Sequence, residues 1–125
     1  MGAWWSLPNS LQDYVEEDSL LLDGLDLERI VVEELSEIGG SLTVIRVDNN
    51  KLTHLELPAT CSKVEDLTAS KNQLELFPLG MNYCVRLRHL DLSGNKLTEV
   101  PNHFSGFASL SNLFLQDNLI STIPE

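Results

Sequence analysis

Along most of the chain, apolar residues recur neither at the spacing of a helix nor in the strict alternation of an isolated strand, but in a longer pattern that repeats. Residues 87–101, "LRHLDLSGNKLTEVP", place leucine at Leu87, Leu90, Leu92 and Leu97 around one amide, Asn95. The same register holds Val64, Leu67, Ala69, Asn72 and Leu74; Leu42, Ile45, Val47, Asn50 and Leu52; and Leu110, Leu113, Leu115, Asn118 and Ile120. First positions are separated by 22, 23 and 23 residues. A period of that length with matched residue types marks a stack of like units, each too small to bury its apolar face alone. A fifth, degenerate copy is read over Leu22, Leu25, Leu27 and Val32, with Ile30 where the asparagine should stand.

The frame resembles that of the leucine-rich repeat family, L-x-x-L-x-L-x-x-N-x-L, over residues 22–125. The resemblance implies an α/β solenoid: a fragment of a horseshoe in which each repeat gives one short strand to a parallel sheet on the concave side. It also implies one continuous domain, residues 22–125, with one degenerate, three full and one partial repeat. Residues 1–21 are expected to form a helical cap. There "SLQDYVEEDSLL" opens with Ser10 three residues before Asp13, and Leu11, Tyr14 and Val15 follow at helical spacing. Such a cap seals an end that otherwise exposes core.

The asparagine has a physical explanation. A chain that turns sharply out of a strand buries N–H and C=O groups with no ladder partner, each costing about 1–3 kcal/mol if unsatisfied. A carboxamide supplies two donors and an acceptor. Asn50, Asn72, Asn95 and Asn118 are therefore expected to form a buried ladder. On the return side, Phe77-Pro78, Val100-Pro101 and Ile123-Pro124 are equivalent, whereas the first clear repeat has Leu55 and delays its proline to Pro58. Cys61 and Cys84 each precede the first apolar position of a repeat by three residues, in the column of Phe107, and are expected to be buried thiols. Their stacking leaves a disulfide geometrically open.

Charge adds an asymmetry. The net charge is −11. Residues 1–40 contain ten acids and one base, while residues 41–125 contain nine acids and seven bases. Nucleic acid and anionic membrane are disfavoured by the sign. A basic protein partner is compatible with it. No apolar run reaches the roughly 18 residues of a membrane span, and no basic region with a following apolar stretch opens the chain. A cytoplasmic location is expected on that ground. "MGAWWS" matches the pattern for myristoylation at Gly2, without a basic patch to strengthen anchoring; Trp4 and Trp5 are read as packing beneath the cap.

No cofactor, metal or catalytic role is expected. His54, His89 and His103 fall at unrelated register positions, no CxxC or paired-histidine spacing occurs, and Gly39-Gly40 lacks a phosphate-loop frame. Function is placed instead on the concave sheet, where residues alternate between core and solvent. Three outward columns are read: Gly24, Val44, Asp66, His89, Asn112; Asp26, Arg46, Thr68, Asp91, Phe114; and Glu28, Asp48, Ser70, Ser93, Gln116. The candidate protein-binding residues are Val44, Arg46, Asp48, Asp66, Thr68, Ser70, His89, Asp91, Asn112, Phe114 and Gln116. An outward aromatic such as Phe114 favours an interface. The expected role is recognition of a partner protein, as a scaffold or targeting domain at the amino end of a larger protein. The alternatives are a regulatory segment beside a phosphatase, kinase or GTPase module lying beyond residue 125, and self-association through an open carboxyl edge.

Overall fold

A computed structural model describes residues 10–101 and 109–121. Among the described residues, six strands form one sheet in chain order: β1 (Val15–Glu16), β2 (Ser19–Leu21), β3 (Val44–Arg46), β4 (Asp66–Thr68), β5 (His89–Asp91) and β6 (Asn112–Phe114). The first pair is an antiparallel hairpin and every later pair is parallel. Between β2 and β3 lies α1 (Val32–Ile38), followed by a 3-10 turn at Gly39–Ser41.

The register follows the frame. Ile45, Leu67, Leu90 and Leu113 are Cα partners in succession. Leucines and other apolar frame residues from Leu42 to Leu97 fill one continuous core, with Leu110, Leu115 and Ile120 half-buried against it. Each repeat leaves its strand by a left-handed step at Asn49, Lys71, Gly94 or Asp117, one residue before the asparagine, with φ between 55° and 68°. That step turns the next side chain inward.

The ladder is continuous. Asn50, Asn72 and Asn95 are 6–7% exposed. Asn72 Oδ1 accepts from the Leu52 N–H at 3.0 Å, and its Nδ2 donates to the carbonyls of Val47 at 2.9 Å and Ala69 at 3.1 Å. Asn95 and Asn118 repeat this one and two units on, accepting from Leu74 and Leu97. Asn50 does more. Its Oδ1 accepts from both Leu25 and Leu27, and its Nδ2 donates to Leu22 and Val47.

The amino-terminal part differs from the expectation. The strand of the first repeat is β2, Ser19–Leu21, with Leu20 beside Ile45, so the degenerate repeat starts five residues earlier than the frame read from sequence. Leu20, Leu22 and Leu27 are core, and exposed Leu25 takes the ladder position. Gly24, at φ 66°, makes the left-handed step. The helical cap is not found among the described residues: Leu11–Tyr14 is a single 3-10 turn, after which the chain enters the hairpin. Ser10 does not cap it; its hydroxyl instead reaches the Asp13 carboxylate at 3.4 Å. Leu11 is buried, and its N–H donates to Glu34 Oε1 of α1 at 2.9 Å, tying the turn to the helix. The hairpin adds a strand to the sheet edge, which covers the core and pairs the edge backbone at once.

The α1 segment was read from sequence only as the end of the degenerate frame. It buries Leu35, carries Glu33 and Glu34 in its first turn, where a carboxylate suits the helix dipole, and stops at Gly39. A Cβ on Gly39 would lie 2.7 Å from Cys61 Sγ, so this glycine lets α1 close onto the next repeat.

Cys61 and Cys84 are free, buried and in adjacent repeats; the Cys84 thiol points at the Cys61 carbonyl, 3.4 Å away. Burial pushes the Cys61 thiol up to about 11. It pushes Cys84 up to about 12, with a smaller contribution from the neighbouring Cys61. Both behave as small apolar groups. The Gly2, Trp4, Trp5, His103, Phe107 and Ile123-Pro124 readings lie outside the described residues.

Candidate protein-binding face

Because inward and outward positions alternate on a strand, fixing the frame residues in the core fixes the outward ones as well. The register places Ser19, Val44, Asp66, His89 and Asn112 in one row across the sheet, and Leu21, Arg46, Thr68, Asp91 and Phe114 in the next. Asp23, Asp48, Ser70, Ser93 and Gln116 follow where the strands end. From β3 onward these are the rows expected from sequence. In the first repeat they are not: Ser19, Leu21 and Asp23 stand where Gly24, Asp26 and Glu28 were expected, for the same five-residue shift. Asp26 instead meets Lys51 at 3.4 Å, away from the rows.

Several of these side chains are committed within the molecule. Asp48 Oδ1 accepts from the Ser70 N–H at 2.7 Å and the Ser70 hydroxyl at 3.0 Å, and Oδ2 from the Thr68 hydroxyl at 3.0 Å. Asp23 accepts in the same way from the Asp48 N–H, at 2.7 Å. Asp91 Oδ1 accepts from the N–H and hydroxyl of Ser93. These carboxylates brace the strand ends. Thr68 is only 4% exposed, so it supports the face rather than presenting to a partner.

Others remain available. Phe114 is 40% exposed and Asn112 and Gln116 are exposed; His89, Arg46, Asp66 and Val44 are half-buried. The rings of His89 and Phe114 lie 5.4 Å apart at 57°, an edge-tilted pair. Arg46 Nη2 approaches Asp66 Oδ2 at 3.4 Å. A shallow groove crosses the sheet along Val44, Asp66, His89 and Asn112, rimmed by Thr43, Glu65, Arg88 and Ser111. The rim residues were not among the sequence candidates. Each directly precedes an outward strand residue, so the repeat alignment held the signal for them. Thr43 is itself held by Asp18 of the hairpin, its hydroxyl donating to Oδ2 at 2.8 Å.

The arrangement offers hydrogen-bonding groups of both kinds, two aromatic rings and fixed charges on a surface made rigid from below. A family model described as leucine rich repeat matches residues 62–120, the span that carries β4 to β6 and three of the ladder asparagines. The chain belongs to the leucine-rich repeat family. Leucine-rich repeat serine/threonine-protein kinase 1 of Mus musculus is 39% identical over 95 residues, which is 67% of this chain and 4% of the kinase. Podocan of Mus musculus is 34% identical over 110 residues, 83% of this chain and 18% of podocan. This leucine-rich repeat chain therefore spans a small part of either relative's length. Among solved structures, the leucine-rich repeat ectodomain of the receptor kinase SOBIR1 from Arabidopsis thaliana superposes with a TM-score of 0.59 at 21% identity, over 85% of this chain and 72% of that one. That likeness is one of fold. Leucine-rich repeat arrays commonly serve as protein-interaction modules. No helix among the described residues is long and apolar enough to cross a membrane.

Proposed function

We propose that the chain recognises a partner protein through the concave sheet, as a scaffold or targeting domain of a larger cytoplasmic protein. The observation that carries this reading is exposed Phe114, set beside half-buried His89 and Asp91 on a sheet whose backbone the asparagine ladder holds in place. An exposed aromatic on a rigid support is what an interface anchor consists of. Two buried thiols left unpaired in adjacent repeats suit a reducing compartment. A second reading is favoured by the kinase relative: a regulatory segment of a multidomain signalling enzyme, with its chemistry elsewhere in that protein. Both readings use the same face.

The test is affinity capture from cell extract with three forms of the chain: wild type, the double variant His89→Ala with Phe114→Ala, and a return-side control, Leu79→Ser. Circular dichroism establishes first that all three fold alike. A protein retained by wild type and control but lost by the double variant supports the concave face. Retention by the double variant with loss by the control refutes it.

A further inference from the structure

The concave rows have a charge surplus of one sign. They hold four carboxylates, Asp23, Asp48, Asp66 and Asp91, against one guanidinium, Arg46, and the groove rim adds one charge of each sign, Glu65 and Arg88. Three of the four carboxylates accept hydrogen bonds from backbone N–H groups at 2.7–2.9 Å. Asp66 is the exception. Its Oδ1 is the one buried side-chain oxygen or nitrogen among the described residues with no hydrogen-bond partner. Its Oδ2 has only Arg46, at a long 3.4 Å. A carboxylate oxygen without a donor is costly, and a native fold that retains one calls for an explanation.

Asp66 stands next to an aromatic site. His89 is its register partner, about 4.8 Å away across the sheet, and the His89 ring contacts that of Phe114. Guanidinium groups combine bidentate bonding to a carboxylate with stacking on ring faces, so Asp66, His89 and Phe114 together suit an arginine better than a lysine. The Asp66 side chain is 27% exposed. A partial rotation about its terminal torsion, which is soft in aspartate, turns the edge of the carboxylate toward the groove at small cost, so that both oxygens come within reach of one guanidinium. Arg46, 41% exposed on a long flexible stem, is easily displaced. The groove crosses four strands, about 14 Å, which matches about four residues of extended chain.

We propose that the concave groove takes an extended basic segment of a protein partner, with one arginine donating to Asp66 and stacking on the His89–Phe114 pair. This rests on the concave reading above and names the chemistry of its partner. Arg46 acts in it as an internal competitor that holds the carboxylate until the partner's guanidinium replaces it.

A random 12-residue peptide library displayed on phage and selected on the whole chain is the probe. Enriched peptides are then synthesised, measured by fluorescence anisotropy, and mapped by 15N chemical-shift perturbation. The expected result is enrichment of arginine beside apolar residues, with shifts confined to Asp66, His89, Phe114 and their neighbours. Asp66→Asn, nearly isosteric and outward, should weaken binding about thirtyfold or more. Arg46→Gln should strengthen it up to about fivefold, which no loss of fold imitates. Peptides without basic enrichment but with the same footprint overturn the arginine proposal and leave the concave face standing. A footprint on the acidic hairpin or the return side overturns both, as does failure to select any peptide above background.

Discussion

Replacing each ladder asparagine by leucine, close in volume and without hydrogen-bonding groups, should produce a graded series set by which backbone groups lose their last partner. In the middle of the stack the carbonyls are shared. Ala69 O receives both Asn72 and Asn95, and Leu92 O receives both Asn95 and Asn118. Asn95→Leu therefore leaves only the buried Leu74 N–H wholly unpaired. One buried orphan donor and two weakened acceptors come to about 2–3 kcal/mol, after the added apolar burial offsets part. Asn50→Leu strands three groups that have no second partner, the N–H of Leu25 and Leu27 and the carbonyl of Leu22. With one of the three partly open to water, about 4 kcal/mol is expected. Asn118→Leu takes the partner from the Leu97 N–H and the Leu115 carbonyl, while the Leu92 carbonyl keeps Asn95; both lost bonds are part-buried and within reach of water, so about 1 kcal/mol follows. Urea unfolding followed by circular dichroism and by fluorescence measures all three. With a slope of about 2 kcal/mol/M, midpoints should fall by about 2 M for Asn50, about 1 M for Asn95 and about 0.5 M for Asn118. Equal losses at the three positions, or a greater loss at Asn118 than at Asn50, would refute the counting of orphaned groups.

Gly80 lies at φ 81°, and a Cβ there would collide with the Leu57 carbonyl, whereas Gly40 has open space and no positive φ. Gly80→Ala should cost about 2–4 kcal/mol by thermal melting and Gly40→Ala well under 1 kcal/mol. The thiols of Cys61 and Cys84 should stay unreactive toward a disulfide-exchange reagent at neutral pH in the folded chain and react after unfolding, a comparison made by absorbance in buffer and in urea. Their folded values, about 11 and about 12, lie above the ordinary 9.0, so the fold holds protons that the unfolded chain releases. Stability should be insensitive to these groups below about pH 9 and fall as pH rises towards 11–12, by at most about 1.4 kcal/mol per unit per thiol. Cys61→Ser with Cys84→Ser should flatten that alkaline limb. Asp48→Ala removes the acceptor of Ser70 and Thr68 and should cost about 1–2 kcal/mol in urea unfolding, with faster amide exchange at Ser70.

The frame from Leu42 to Ile120 was legible because one set of positions answers to two constraints at once, burial and ladder bonding, and only a few residue types satisfy both. The first repeat was not. Its sequence "LLLDGLDL" permits more than one register, since Leu20, Leu22, Leu25 and Leu27 fit nearly as well as Leu22, Leu25, Leu27 and Val32. The usual arbiter is missing, because Leu25 stands in place of the asparagine and Asn50 of the next repeat supplies the bonds. Gly24 was the usable signal: it is the residue suited to the left-handed step that Asn49, Lys71, Gly94 and Asp117 make elsewhere. Over residues 10–21 a hairpin stands where the cap helix was expected, for a different reason. The segment 10–21 does have helical spacing at its start, but a sheet edge with unpaired backbone stood beside it, and pairing that edge outweighed a short helix of weak intrinsic stability.

The proposed recognition surface follows a different logic from the frame that supports it. Frame positions repeat because each solves the same packing problem; the outward positions face no such problem, so nothing forces them to repeat, and their variation from Arg46 to Asp91 to Phe114 is where specificity can be written. Periodicity therefore locates the face and says little about what it binds. What distinguishes one outward residue from another is whether its polar atoms are already spent. Asp48 and Asp91 are tied to the strand ends that follow them, while Asp66, in the middle of the sheet and beside an aromatic pair, keeps an oxygen without a donor. That difference depends on which atoms meet after folding, so it is visible in the structure alone. It makes Asp66→Asn the variant in which stability and recognition should separate: the fold loses little, and a basic partner loses its anchor.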